Sequence, residues 1–258
     1  MRHLFQFART EPAPAVPLHA QAPELREAQL AAIYYGRRTG GDFYDFCRVS
    51  PIRVLFALLD VAGRLDENRG IIAAAQSTLR TTGAELLAQE EANEPDAMIE
   101  ICLQLNKSIL KAAGGTCPCP VFAGCYNENL GTVCYFNAGH TPGLVRDDVG
   151  IVELHATGLP LGLFSHCTPD ASIVAITPGA ALLVVSRGTI KAKWKEEEFG
   201  MEQVKDSLQR AKSQSAKEIC STVVEQVQVH MRKGPARGDV TVLALARPTS
   251  AKSLAAVS

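Results

Sequence analysis

Apolar residues along this chain fall into short runs separated by turn signals, with a few longer stretches at helical spacing. The run Val54-Leu55-Phe56-Ala57-Leu58-Leu59 leads straight into Asp60, the pattern of a strand with a carboxylate at its tip. A helix is predicted over 70–88, where Ile71, Ile72, Ala75, Leu79, Leu86 and Leu87 recur near a 3.6-residue period. Pro95 opens a second helix through Met98, Ile99, Cys102, Leu105 and Ile109, which Gly114-Gly115 ends. Strands are predicted over 121–126, 132–137, 143–146, 151–154, 171–176 and 181–186, with Asn129-Leu130-Gly131 and Pro178-Gly179 as turns. Helices over 202–211 and 216–231 and a closing strand over 240–246 complete the pattern. Many consecutive strands with a few clustered helices predict an α+β fold built on antiparallel sheets, not a βαβ winding.

Composition narrows the classes. The 258 residues are 47% hydrophobic and 21% charged, the balance of a globule with a sizeable core. A Pro- and Ala-rich stretch over 1–27 reads as a flexible lead-in, 28–247 as one folded domain, and 248–258 as a small, polar, disordered tail. Net charge is −1, and no basic stripe is interleaved with aromatics, which argues against a nucleic-acid partner. No run approaches the roughly 18 apolar residues of a membrane span, and the N-terminus does not read as a secretory signal. The default expectation is no membrane partner and a cytoplasmic location. Eight cysteines show no repeating framework; the tight pair Cys117-Pro118-Cys119 misses the usual zinc spacing, so reduced thiols are expected.

Gly40-Gly41-Asp42-Phe43-Tyr44-Asp45, Asp60-Val61-Ala62-Gly63, Asn106, Tyr135-Phe136-Asn137-Ala138-Gly139-His140, Gly158-Leu159-Pro160-Leu161-Gly162, Phe199-Gly200 and Gly238-Asp239-Val240-Thr241 follow one another along the chain. Together they resemble the ordered motifs of the SpoIIE-like branch of the PPM (type 2C, metal-dependent) protein serine/threonine phosphatases: GGDFYD, DVSG, a helical LN, YANAGH, G-x-PLG, FG and DDIT. A lone GGD or AGH means little, but the ordered series is specific. The resemblance implies two antiparallel sheets packed face to face with helices on both outer sides.

It also implies a Mg2+ or Mn2+ site fed by carboxylates at strand ends, since such cations take oxygen ligands and retain water. By resemblance, Asp60 bridges two metals, the Val61 carbonyl binds one, and Asp42 acts through a water; Asp42 and Asp60 are the catalytic candidates. Two family carboxylates are replaced. The family's SDG aligns with Ser186-Arg187-Gly188, and its DD with Gly238-Asp239, so Arg187 and Gly238 stand at degraded ligand positions. The DVSG motif also continues as Arg64-Leu65 where the family has His-Gly. Arginine is a permanent cation without an acceptor. Two unit charges about 4 Å apart at an effective dielectric near 20 interact by about 4 kcal/mol, and a divalent ion doubles the repulsion. Arg187 is therefore expected among Asp42, Asp60 and Asp239 as a stand-in for the metal's charge, or Asp239 turns inward as a substitute ligand. His140 reads as a phosphate contact or general acid, or as a histidine bracing a turn, the second being favoured. The run 191–198, KAKWKEEE, reads as a solvated flap, in which Trp194 is the candidate partner anchor.

Two functions follow. One is metal-dependent hydrolysis of a phosphorylated signalling protein, which in SpoIIE-like relatives is typically an anti-sigma-factor antagonist. The other is a pseudophosphatase, the same fold used as a regulatory protein-binding module.

Overall fold

The computed structural model describes residues 21–36, 41–211, 215–232, 234 and 238–249, apart from the side chains of Leu65 and Asp66. Most of the predicted lead-in and tail, and Gly40 of the first motif, lie outside the described residues.

Two five-stranded antiparallel sheets face each other. The first has the order β1-β12-β9-β6-β7, from β1 (Gln29–Tyr35), β12 (Val240–Ala246), β9 (Ala181–Val185), β6 (Gly143–Arg146) and β7 (Ile151–Leu154). The second has the order β2-β3-β4-β5-β8, from β2 (Asp42–Ser50), β3 (Arg53–Asp60), β4 (Val121–Asn127), β5 (Thr132–Ala138) and β8 (Ser172–Ala175). Helices α1 (Leu65–Leu87) and α2 (Glu94–Ala113) cover the outer face of the second sheet, and α4 (Gly200–Arg210) and α5 (Ala216–His230) that of the first. A short α3 (Arg187–Ile190) follows β9, and β10 (Lys193–Trp194) pairs with β11 (Glu197–Glu198).

The continuous apolar run of β3 follows from this layering, because both its faces are covered. Leu55, Ala57 and Leu59 point to α1 and α2, while Val54, Phe56 and Leu58 point into the core between the sheets. The same division holds in β12, where Val242, Ala244 and Ala246 meet α5 and Leu243 and Leu245 enter the inter-sheet core.

The α+β expectation and the paired antiparallel sheets are what the structure has. Helix α1 begins earlier than the predicted 70–88, at Leu65, because Arg64 leaves extended geometry there and its carbonyl accepts from Glu67 and Asn68. Helix α2 is capped by the Asn93 side chain, which accepts from the Asp96 N–H, and ends on Gly114 in the left-handed region. Residues 21–27 differ from a free lead-in: Ala22 and Leu25 pack on the inter-sheet core, and Arg26 binds Glu128 and the Pro51 carbonyl. Among the described residues no helix is long and apolar enough to cross a membrane.

Candidate active site

The β2–β3 pairing brings the first carboxylates together. Asp42 opens β2, Asp60 closes β3, and the two are direct cross-strand partners at one end of the second sheet. Gly41 is required just before them. A Cβ there would lie 1.9 Å from the Val61 carbonyl oxygen, and the Gly41 carbonyl accepts from the Val61 N–H. Beyond Val61, the turn is held by Asn68, whose side-chain amide donates to the Ala62 carbonyl at 2.9 Å.

The other sheet supplies the opposite wall. Asp239 precedes β12 and is buried; Tyr34 of β1 donates its hydroxyl to Asp239 Oδ1, and Asp239 Oδ2 has no hydrogen-bond partner. Thr241 Oγ1 donates to Asp42 Oδ2 at 2.8 Å. Ser186, at the end of β9, accepts from the Thr241 N–H and donates to the Asp239 carbonyl. Gly188 can only be glycine, because a Cβ would fall 1.9 Å from the Asp239 carbonyl oxygen. At Gly238, by contrast, a Cβ would meet nothing within 4 Å among the described residues. Asp42, Asp60, Val61, Gly188, Gly238 and Asp239 line an open cleft of about 200 Å³ that also includes Lys191.

Arg187 lies at this cleft. Its Nε is 3.3 Å from Asp60 Oδ2, and its side chain is 59% exposed. The expectation of a guanidinium shared by three carboxylates is thus narrower in the structure. Arg187 pairs with Asp60, while hydroxyls hold Asp42 and Asp239. Crowding of acids raises the proton affinity here. Burial, then the neighbouring Asp60 and Asp239 charges, lift Asp42 to about 7, against hydrogen bonds from Ser186 and Thr241. Burial also raises Asp60, which Arg187 partly offsets and Asp239 reinforces.

A pair of divalent ions would need several free carboxylate oxygens here. Among the described residues, no three His, Cys, Asp or Glu side chains are arranged to hold a metal ion. One Asp60 oxygen faces a guanidinium, and one Asp42 oxygen receives a hydroxyl proton. As arranged, these residues do not fit a two-metal centre. Among the described residues, Asp239 Oδ2 is a buried carboxylate oxygen of the cleft without a hydrogen-bond partner.

The remaining candidates are placed as follows. His140 is buried in the turn after β5, where its N–H donates to Asn137 Oδ1 and its Nδ1 lies 3.1 Å from Thr141 Oγ1. Burial lowers its pKa to about 4, so it is neutral near pH 7, as suits a histidine bracing a turn. Asn106 ties α2 to the Gly158–Gly162 motif: Gly162 N–H donates to its Oδ1 at 2.8 Å, and its amide donates to the Phe164 carbonyl. The 191–198 run is the β10–β11 hairpin, and Trp194 is half-buried with the Arg232 guanidinium 4.7 Å over its ring. The sequence does not mark Tyr34 or the hydroxyls of Ser186 and Thr241 as site groups, and it places Lys191 in the charged 191–198 run. Ser186 and Thr241 sat inside quoted motifs, while Tyr34 had no signal beyond a short apolar run.

The family model for Stage II sporulation protein E (SpoIIE) matches residues 50–248. Protein IcfG of Synechocystis sp. (strain ATCC 27184 / PCC 6803 / Kazusa) is 23% identical over 246 residues, covering 87% of this chain and 39% of IcfG. The structure of the RsbU and RsbW domains of Rv1364c from Mycobacterium tuberculosis superposes with a TM-score of 0.71 at 20% identity, covering 88% of this chain and 62% of that one. The catalytic domain of the serine/threonine phosphatase PstP, in complex with two manganese ions, does so with a TM-score of 0.59 at 14% identity, covering 85% of this chain and 97% of that one. The chain thus spans less than two thirds of the length of IcfG and of the RsbU–RsbW protein. With the family model matched over most of the folded residues, and the paired sheets and strand-end acids in place, this chain belongs to the SpoIIE family of PPM-type phosphatase domains.

Proposed function

We propose that this domain retains the PPM architecture but has weakened or lost metal-dependent phosphate-monoester hydrolysis, and that it acts by binding a phosphorylated signalling protein or its regulator. One observation carries the reading: Arg187 Nε stands 3.3 Å from Asp60 Oδ2, so a fixed positive charge faces the carboxylate that the family resemblance makes the bridging ligand. Gly238, at the other replaced position, offers no side chain at all. The natural partner class is the anti-sigma-factor antagonist of partner-switching pathways, met in the cytoplasm.

A second reading, a working phosphatase using Mg2+ or Mn2+, draws support from Asp239. Its Oδ2 is buried without a hydrogen bond, and a carboxylate oxygen left so costs free energy that a bound cation would recover.

Calorimetric titration with Mn2+, run alongside turnover of a phosphorylated peptide, separates the two. The first reading expects no binding and no turnover in the native chain, and a gain of both in the double variant Arg187→Asp, Gly238→Asp. Room for the second aspartate exists, since nothing among the described residues lies within 4 Å of a Cβ at Gly238. Tight Mn2+ binding with turnover in the native chain would establish the second reading and sink the first.

A further inference from the structure

A cavity of about 460 Å³ lies between α2 and the segment after Gly158, away from the carboxylate cleft. Two thiols line it: Cys102 on α2, and Cys167 on the segment leading to β8. We propose that Cys102 and Cys167 are a dithiol that a hydroperoxide converts to a reversible disulfide, fastening the segment to α2.

The chain geometry brings them together. Cys102 and Asn106 are one helical turn apart, about 6 Å, on the same face of α2. Asn106 holds both the Gly162 N–H and the Phe164 carbonyl, at 2.8 and 2.9 Å. Cys167 is then only three positions beyond Phe164, a reach of at most about 10 Å. The two thiols line the same cavity and are close enough to perturb one another. They differ in exposure: Cys102 is buried, and Cys167 is half-exposed.

That difference assigns the roles. Burial leaves the Cys167 thiol raised, with Cys102 and the nearby Lys107 ammonium opposing it in part, and its exposure is what gives oxidant access. Burial pushes Cys102 to about 12, with no cation opposing it. Cys167 is therefore the thiol that reacts first. Its thiolate attacks one oxygen of hydrogen peroxide; the O–O bond breaks, leaving a sulfenic acid, and the departing hydroxide takes a proton to become water. The Cys102 sulfur, giving up its proton, then attacks the sulfenyl sulfur. The S–O bond breaks, the S–S bond forms, and a second water leaves. Two thiols lose two electrons, and the peroxide gains them.

Cys125 and Cys134 provide the contrast within the same protein. They are direct partners on β4 and β5, yet both are fully buried in the core beneath the helices, where oxidant has no entry. Proximity without access leaves them reduced.

The test treats the folded chain with hydrogen peroxide, removes the peroxide, then unfolds the chain and alkylates the remaining thiols, and maps non-reduced peptides by mass spectrometry. The expected result is a cross-linked pair containing Cys102 and Cys167, reversed by dithiothreitol, with Cys125 and Cys134 alkylated. Cys167→Ser, at the half-exposed position, should abolish the cross-link, and Cys134→Ser should leave it. Alkylation of both thiols after treatment, pairing of either with another cysteine, or a cross-link formed only in denaturant would each overturn the proposal.

Discussion

The hydroxyl of Thr241 on β12 donates to Asp42 Oδ2 at 2.8 Å, joining one facing sheet to the other at the mouth of the cleft. Thr241 is itself fully buried, so its partner cannot be replaced by water. Replacing it with valine keeps the shape and removes the donor. Thr241→Val is expected to cost about 1–3 kcal/mol, read as a lowered urea midpoint with an unchanged denaturant slope. An unaltered midpoint would mean that the bond contributes nothing.

Two glycines beside the same cleft should respond in opposite ways to alanine. At Gly188 the new methyl would sit 1.9 Å from the Asp239 carbonyl oxygen, which is backbone and cannot swing aside. At Gly238 it would meet nothing within 4 Å among the described residues. Thermal melts should show Gly188→Ala destabilised by about 2–4 kcal/mol and Gly238→Ala within about 0.5 kcal/mol of the native chain. Equal losses would argue against the close approach of Gly188 to Asp239.

Arg187 is expected to matter more to cations than to stability. Its side chain is 59% exposed, so solvent screens its pairing with Asp60 and the fold should lose less than about 1 kcal/mol in Arg187→Ala. Mn2+ affinity should rise in that variant, because a repulsive charge has gone. A loss of several kcal/mol by chemical denaturation, with no gain in Mn2+ binding by calorimetry, would instead make Arg187 a structural counter-charge.

His140 gives a pH dependence of known sign. Burial holds its pKa near 4, below the 6.5 of a free imidazole. The unfolded chain therefore takes up a proton that the fold refuses. This contribution is fully present above about pH 6.5 and is lost as pH falls towards 4, a change of about 3 kcal/mol. Urea unfolding between pH 7.5 and 4.5 should show a shallower decline for His140→Gln than for the native chain. Parallel declines would place His140 in contact with water.

The parts of the fold that were hard to read in the sequence have physical reasons. Strand β2 carries Asp45, fully buried, and a charged residue inside a strand looks like a solvent face until its partner is seen. That partner is Arg80 on α1, which binds both carboxylate oxygens at 2.7 Å. Strand β1 pairs along its whole length with β12, from Gln29↔Ala246 to Tyr35↔Val240, and no local pattern announces a partner so distant in the chain. Much of the site was legible. Asp42, Asp60, Arg187, Gly238 and Asp239 are motif positions, and the structure gathers them in one cleft.

By itself, the sequence determined the longer helices, most of the strands from β3 onward and the family, because apolar periodicity and the ordered glycine and acid motifs are local properties of the chain. Burial on both faces of β3 was already implicit in the unbroken apolar run from Val54 to Leu59. Which oxygen each hydroxyl or guanidinium would take was not. Tyr34 on Asp239, Thr241 on Asp42 and Arg187 on Asp60 are choices made between sheets, where hydrogen-bond directions and competing partners decide. Such choices depend on distances of a few tenths of an ångström between residues up to about 200 positions apart. Only the tertiary structure fixes those.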